Sequence, residues 1–207
     1  MGLDALFMEF VHGLCISAGG FFTPFLRVIS LLGEKAWFFV LMSLLLCINK
    51  RTRWVGVTAL FAILLGYIIG NLAMKPAIMR MRPYTASNLY QDYWKLAGAY
   101  PETDYSMPSG HTLGCAAFFI SLYITCKKEM RPMISTIGII AVILMIISRT
   151  YFMHHYLTDC IVGVLLAVVV SFISKIVVKF IYKIFKANED IGFCSFVLNF
   201  DLFSKSR

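Results

Sequence analysis

Charged residues are scarce in this chain. They make up 14% of its 207 residues, whereas 59% are hydrophobic, and the mean hydropathy is +0.78. An ordinary soluble domain is about one quarter charged and about half apolar. The shortage of charge therefore argues against a soluble globular protein and favours a chain embedded in a lipid bilayer. The length fits a single domain.

Acidic residues and cysteine pairs are also few. The 11 Asp and Glu face 19 Lys and Arg, and no cluster of carboxylates is available to hold a divalent ion. The six cysteines form no C-x-x-C pair and lie mostly in apolar runs, which argues against a zinc site or a disulfide framework. A net charge of +8 would suit nucleic acid, but the basic residues lie mostly between apolar segments, as in membrane proteins. No nucleic-acid partner is expected.

Five apolar segments are candidates to cross a bilayer, which takes roughly 20 residues. They are residues 35–49, 54–74, 111–126, 132–148 and a last one from 156 past 174. Residues 1–32 are interrupted at Gly19, Gly20 and Pro24, and they fit two short interfacial helices or a sixth span. The sequence therefore predicts an all-α, polytopic membrane bundle of five to six transmembrane helices over residues 1–186. Residues 187–207 would form a short tail.

Basic residues cluster in the connections between these spans. The clusters fall at residues 50–53, 127–131 and 175–186, all on one side, which the positive-inside rule makes cytoplasmic. The opposite side then receives residues 84–107, the only long polar connection, and long loops are often functional. Its aromatic side chains are expected at the membrane surface. The acidic and aromatic residues of this loop are Tyr90, Asp92, Tyr93, Trp94, Tyr100, Glu102, Asp104 and Tyr105.

Three polar clusters lie on that outer side. Lys75, Arg82 and Arg149 stand at three predicted span ends, where they would repel one another unless an anion lay between them. Phosphate is such an anion, and its oxygens match the planar fork of arginine. The clusters are residues 75–83 (KPAIMRMRP), 108–111 (PSGH) and 148–159 (SRTYFMHHYLTD).

The second and third clusters add histidines. Ser109 and Gly110 precede an apolar run, where a capping serine and free backbone N–H groups make an anion site, with His111 in the first turn. His155 and Asp159 are four residues apart and share one face if the last span has already begun as a helix. A carboxylate there would fix the imidazole tautomer and free the other nitrogen to attack. Two histidines among cations indicate one nucleophile and one general acid.

Each of these residues also has a non-catalytic interpretation. A lone cation at a span end is usually an interfacial anchor, and Arg149 and Asp159 could form a structural ion pair. His154 is interpreted as a residue behind the site or on the nearby surface, and His12 as an interfacial residue. The joint occurrence of cations and histidines on one predicted face favours a phosphate site.

The three clusters resemble the signature motifs of the type 2 phosphatidic acid phosphatase family, which also includes vanadium-dependent haloperoxidases. The family pattern is K-x6-R-P, P-S-G-H and S-R-x5-H-x3-D, and the three clusters match it in that order without a gap. The resemblance implies a phosphatidic acid phosphatase/haloperoxidase-like helical core that works without metal or cofactor. Met153 and Leu157 stand where Gly and Pro are common, which puts the local turn geometry in question.

The resemblance also implies individual roles. His155 would be the nucleophile that forms a phosphohistidine, Asp159 would orient it, and His111 would protonate the leaving oxygen. Arg80 matches a position that is often basic. The phosphate would be bound by Lys75, Arg82, Ser109, Gly110 and Arg149.

The expected function is hydrolysis of a lipid phosphate or diphosphate at the outer face of the plasma membrane. Undecaprenyl diphosphate is the favoured substrate, and phosphatidylglycerophosphate or phosphatidic acid is the alternative. A non-catalytic transporter or binder of phosphorylated lipid would need the cations but not the paired histidines. Phosphotransfer from lipid to another acceptor would use the same residues as hydrolysis.

Overall fold

The computed structural model of the protein describes residues 2–201, and within that range the chain forms helices and no strand. This confirms the predicted all-α class. The helices are α1 (Leu3–Ser17), α2 (Thr23–Gly33), α3 (Trp37–Ile48), α4 (Arg53–Gly66), α5 (Lys75–Ile78), α6 (Pro83–Ala86), α7 (Asn88–Leu96), α8 (Gly110–Thr125), α9 (Arg131–Tyr151), α10 (Leu157–Ala187) and α11 (Gly192–Asn199).

Four helical segments of the described chain are long and apolar enough to cross a membrane. They are Thr23–Ile48, Arg53–Ala86, Lys128–Tyr151 and Leu157–Ala187, and the shorter apolar helix Gly110–Thr125 stands between the second and the third. These five segments overlap the five predicted spans, although the first begins at Thr23 instead of residue 35.

The N-terminal region forms two helices, broken where the glycines and proline indicated. α2, however, leads directly into α3 through a short turn in which Lys35 and Ala36 have φ of 48° and 54°. The apolar segment Thr23–Ile48 is consequently 26 residues long. The boundary expected at residue 32 therefore does not separate α2 from the first span.

α8 lies at the centre of the bundle, packed against α3, α4, α9 and α10. Its buried surface is rich in small side chains, including Gly114, Cys115, Ala116 and Ala117. Lipid tails are as apolar as the helices, so helices in a bilayer associate by the close packing of such small residues. This packing places the first residues of α8, which carry the P-S-G-H sequence, at the middle of one end of the bundle.

The chain leaves α4 through a π-helical stretch, Tyr67–Met74, before reaching Lys75 and Pro76. Proline lacks the N–H that an α-helix needs and crowds the preceding turn, so the wider π geometry just before it has a local cause. Met79 then ends the helix with φ 52°, and Arg82 is extended, as a residue before proline prefers. These turns bring the start and the end of the first motif to the same end of the bundle.

The loop after the first motif folds into α6 and α7 and packs on the protein. Tyr84 stacks on Trp94 with ring centroids 5.0 Å apart, and these rings cover Met8 and Met153. Tyr90 and Tyr93 pack against the same cluster as partly buried residues, and the expected place of the loop aromatics at the membrane surface stays a prediction.

The basic clusters lie at the end of the bundle opposite the motifs. α4 begins at Arg53 and α9 at Arg131, whereas their far ends lead to Lys75 and Arg149. In the C-terminal tail, α11 packs at this basic end, where Arg53 donates to the carbonyl oxygens of Val197, at 2.5 Å, and Phe200. Residues 202–207 of the predicted tail lie outside the described residues.

Candidate active site

Three buried cations converge at the motif end of the bundle, and two loop carboxylates lie between them. Nη2 of Arg82 is 2.7 Å from Oε2 of Glu102 and 2.5 Å from Oδ1 of Asp104. Lys75 pairs with Asp104 and Arg149 with Glu102. The structure thus joins the three predicted phosphate-binding cations through a pair of anions to which the sequence interpretation gave no role. The only feature of the sequence that pointed to Glu102 and Asp104 was their position in a long polar loop beside the predicted site.

Both carboxylates are held in the ionised form. Burial alone would raise the pKa of Glu102, but Arg149, His154 and Arg82 outweigh it, and the pKa lies far below its usual range. Burial likewise opposes ionisation of Asp104, and the hydrogen bond from Lys75 together with the charges of Lys75 and Arg82 lowers its pKa. The cations therefore make a strong anion site, which the protein's own carboxylates fill.

His155 faces this cation cluster with one ring nitrogen. Its Nε2 is 3.3 Å from Nη1 of Arg82, and its Nδ1 is 2.7 Å from the carbonyl oxygen of Ser106. A carbonyl only accepts hydrogen bonds, so Nδ1 carries the proton and Nε2 keeps its lone pair. Burial, followed by the charges of Arg82 and Arg149, places the pKa of His155 well below its usual value. The imidazole is therefore neutral, with its free nitrogen directed at the anion site.

Asp159 stands behind His155, but not on a shared helical face. α10 begins at Leu157, so the condition for a shared face, that the helix had already begun at His155, is not met. Oδ2 of Asp159 is 3.7 Å from Nδ1 of His155 and accepts the N–H of Tyr156 at 2.9 Å. Its other oxygen is 2.5 Å from Nη1 of Arg80. Arg149 and Asp159 do not form an ion pair with each other. Arg149 pairs with Glu102, and Asp159 pairs with Arg80.

The P-S-G-H residues start α8 beside this group. Ser109 caps the helix, its Oγ accepting from the N–H of Thr112, and its own N–H donates to the carbonyl of Asp159 at 3.1 Å. A Cβ on Gly110 would lie 3.1 Å from Oδ1 of Asn71, so a side chain would crowd this position. His111 follows in the first turn, within range of the charges of Arg149 and Glu102 and beside Gly33 of α2.

α2 supplies a contact that no motif predicted. Nη1 of Arg149 donates to the hydroxyl of Ser30 at 2.5 Å, and the hydroxyl of Ser148 donates to the carbonyl of Leu26 at 2.8 Å. Arg149, which is 1% exposed, is thereby fixed from two sides, by α2 and by Glu102. The N-terminal region is therefore part of the site.

His154 is buried behind the site, so the surface alternative for it is wrong. Its Nε2 lies 2.7 Å from the carbonyl oxygen of Tyr100, and burial followed by the charge of Arg149 lowers its pKa to about 3. His12 stacks on Tyr93 with ring centroids 3.3 Å apart.

The two positions that depart from the family pattern have recognisable geometry. Met153 has φ 53°, a left-handed conformation that glycine adopts without strain. Leu157 is the first residue of α10, where proline is well suited because its missing N–H has no helical partner. The chain keeps the geometry with other residues.

The fold and the site together define a polytopic helical membrane protein with a histidine beside a buried anion site. The model of the PAP2 superfamily matches residues 55–183, and the chain belongs to this superfamily. The match confirms the resemblance that the three motifs indicated.

Two relatives and one solved structure are similar to the chain. An undecaprenyl-diphosphatase of Sulfolobus acidocaldarius is 33% identical over 141 residues, which is 68% of this chain and 63% of that protein, so the chain spans less than two thirds of that relative. A lipid A 4'-phosphatase of Porphyromonas gingivalis is 25% identical over 186 residues, covering 86% of this chain and 74% of the relative. A transmembrane PAP2-type phosphatidylglycerolphosphate phosphatase from Bacillus subtilis has a TM-score of 0.60 at 19% identity. The alignment covers 91% of this chain and 95% of that one, and it shows the fold.

Proposed function

We propose that this protein is a membrane lipid phosphatase that cleaves a lipid phosphate or diphosphate through a phosphohistidine on His155. The supporting observation is the convergence of Lys75, Arg82 and Arg149 with the unprotonated Nε2 of His155, which lies 3.3 Å from Arg82. A preformed cluster of buried donors stabilises the charge that develops on a transferring phosphoryl group. A binder that only holds phosphate needs no unprotonated imidazole directed at it.

The first step exchanges one anion for another. The substrate phosphate takes the place of the Glu102 and Asp104 carboxylates and is held by the three cations. Nε2 of His155 then attacks phosphorus and the bond from phosphorus to the leaving oxygen breaks. His111, in its protonated imidazolium form, gives that oxygen a proton and becomes neutral. The N–P bond forms as the P–O bond is lost.

The phosphorylated ring carries a positive charge, because Nδ1 keeps its proton. The Ser106 carbonyl at 2.7 Å and the Asp159 carboxylate at 3.7 Å stabilise this charge. In the second step water gives a proton to His111 and attacks phosphorus, which breaks the N–P bond. Inorganic phosphate leaves, and both histidines return to their starting states.

An apolar cavity beside the site suits a lipid tail. It has a volume of about 290 Å³ and lies between α2, α3, α8 and α9, with Ile29, Phe39 and Met145 among its lining residues. Met145 and His111 both lie against Gly33, so this cavity adjoins the proposed acid. A tail held there would present its phosphate to the cations from within the membrane.

Undecaprenyl diphosphate is the proposed substrate, with the site on the outer face of the plasma membrane. The support is a relative named undecaprenyl-diphosphatase and the position of the site opposite the basic clusters. Phosphatidylglycerophosphate is the second candidate, because the structurally similar Bacillus protein is named for it.

Phosphate release from detergent-dispersed lipids tests the proposal. The parent protein should release phosphate from undecaprenyl diphosphate faster than from phosphatidylglycerophosphate or phosphatidic acid. His155→Ala should lower the rate by about a thousandfold or more, because the nucleophile is lost. His12→Ala removes a histidine outside the site and should leave the rate unchanged. A His155→Ala protein as active as the parent would refute the mechanism.

Trapping the intermediate separates catalysis from binding. Acid-labile phosphate attached to His155 after brief exposure to substrate supports an enzyme, whereas bound lipid without it supports a carrier. Products phosphorylated on an added alcohol would reveal phosphotransfer.

A further inference from the structure

Asp4 joins the N-terminal helix to the start of α10. Its Oδ1 accepts the N–H of Thr158 at 2.9 Å, and its Oδ2 accepts the Thr158 hydroxyl at 2.8 Å and Nη2 of Arg80 at 2.8 Å. The first N–H groups of a helix have no partner within the helix and favour a negative charge. Asp4 therefore caps α10 from a position 154 residues earlier in the chain.

Arg80 extends this link from Asp4 to Asp159. Its Nη1 lies 2.5 Å from Oδ1 of Asp159 and donates to the Thr158 hydroxyl at 2.7 Å. The guanidinium lies 4.0 Å from the ring centroid of Tyr156, which holds its plane in place. Only a planar fork can reach both carboxylates with separate nitrogens, so the arrangement specifically requires arginine.

Arg80 also binds Ser106, whose carbonyl is the second group that faces His155. The N–H of Ser106 donates to the Arg80 carbonyl at 2.9 Å, and the Ser106 carbonyl in turn accepts Nδ1–H of His155. Oδ2 of Asp159, which is fully buried, lies 3.7 Å from the same Nδ1. Both groups facing Nδ1 of His155 are thus held by Arg80, one through its side chain and one through its backbone.

We infer that Asp4 is a positioning residue for His155 and acts by fixing Arg80 and the start of α10. The inference rests on the proposed role of His155 as the nucleophile. A misplacement of about 1 Å can slow an enzyme by about a hundredfold. Substrate binding should be affected less, because Lys75, Arg82 and Arg149 take their ion-pair partners from Glu102 and Asp104.

Asp4→Asn removes the charge and one acceptor while keeping the size of the side chain. We expect kcat for phosphate release to fall by about tenfold or more, with KM within about twofold of the parent value. Asp4→Glu should recover part of the loss, since it restores the charge. Glu9 lies on the same helix and its side chain is exposed, so Glu9→Gln should keep the kcat and KM of the parent. An Asp4→Asn protein whose folded fraction turns over at the parent rate would overturn the inference.

Histidine NMR on the substrate-free protein gives a readout that does not depend on activity. The ring resonances of His155, assigned with His155→Ala, should move in Asp4→Asn and stay in place in Glu9→Gln. Unchanged His155 resonances in folded Asp4→Asn overturn the positioning role whether or not the parent releases phosphate. If the resonances move but the parent releases no phosphate from any tested lipid, the link from Asp4 to His155 stands and the proposed function fails.

Discussion

The Nδ1 atom of His155 donates to the carbonyl oxygen of Ser106 across 2.7 Å, and this contact decides which ring nitrogen faces Arg82. Ser106 lies in the polar loop and outside all three motifs. The backbone of this loop therefore sets the tautomer, and its acidic side chains occupy the anion site. The loop is as much a part of the site as the motif residues are.

The first prediction concerns protonation of His155. An ordinary histidine is half protonated at about pH 6.5, but burial and the charges of Arg82 and Arg149 lower the pKa of His155 well below that value. Its ring should therefore still be neutral at about pH 6.5, where an ordinary histidine is half protonated, as followed by histidine NMR in detergent. Because the unfolded chain would take up this proton, folding stability should decrease as the pH falls below about 6.5. A titration midpoint between 6 and 7 would contradict the site geometry.

The second prediction concerns the carboxylates that a substrate phosphate would replace in the proposed mechanism. Asp104→Asn removes an anion that pairs with Lys75 and Arg82, so KM for the lipid phosphate should fall by about threefold to fivefold. The small factor follows from the half-exposed position of Asp104, since such ion pairs contribute about 1 kcal/mol or less. Asp92→Asn, whose ion-pair partner is the exposed Lys95, should leave KM unchanged. A higher KM in Asp104→Asn would show that Asp104 supports substrate binding instead.

The third prediction concerns the close approach of α8 and α10. A Cβ on Gly163 would lie 2.9 Å from the carbonyl oxygen of Ser109, a backbone atom that cannot move independently. Gly163→Ala should therefore lower stability by about 1–3 kcal/mol and also reduce turnover, because it displaces the P-S-G-H backbone. Thermal unfolding in detergent and phosphate release measure the two effects.

Gly13→Ala is the matched control for this helix packing. A Cβ on Gly13 of α1 would meet no atom within 4 Å, so alanine there should stabilise the helix by about 0.5–1 kcal/mol. If Gly163→Ala and Gly13→Ala changed stability equally, α8 and α10 would have to be farther apart than described.

The fourth prediction concerns two methionines with left-handed backbone. Met79 has φ 52° and is exposed, so Met79→Gly should be more stable than Met79→Ala by about 1 kcal/mol. Met153 has φ 53° but is fully buried, and its loss leaves a cavity that costs about 2–5 kcal/mol. Met153→Gly should therefore be less stable than the parent despite the relief of backbone strain. Thermal unfolding that ranks Met153→Gly above the parent would contradict this packing.

The fifth prediction concerns vanadate and metal chelators. Vanadate mimics the trigonal-bipyramidal state of phosphoryl transfer, and the three cations should bind it and inhibit phosphate release. Arg82→Ala should weaken this inhibition, whereas Arg51→Ala, at the opposite end of the bundle, should not. Excess chelator should leave the rate unchanged, because the proposed mechanism uses side chains alone. Loss of turnover with chelator, or insensitivity to vanadate, would count against it.

Much of this protein follows from local sequence. Apolar segments of sufficient length predicted the spans, because a bilayer requires such segments whatever their partners. Motif spacing predicted the family, which the superfamily match confirms. The roles assigned to His155, His111 and Asp159 stay predictions, although the structure gathers these residues at one end of the bundle.

Some expectations depended on contacts that sequence spacing does not reveal. The four-residue spacing of His155 and Asp159 suggested a shared helical face, but α10 begins only at Leu157. Trp94 of the loop stacks on Tyr84, and both pack against Met8 and Met153, which the composition of the loop does not specify. Both arrangements include contacts between distant parts of the chain: Asp4 accepts the N–H of Thr158 at the start of α10, and the loop rings pack against Met8 and Met153.

The sequence by itself determined that this is a membrane-embedded helical protein, and it placed Lys75, Arg82 and Arg149 at predicted span ends, where charge is costly without an anion. Only the tertiary structure decided which carboxylates pair with these cations, which carbonyl fixes the histidine, and that Asp4 reaches Arg80. Those contacts join parts of the chain that are far apart in sequence, through backbone atoms and loop side chains. Helix packing brings them together, and no local pattern encodes that packing.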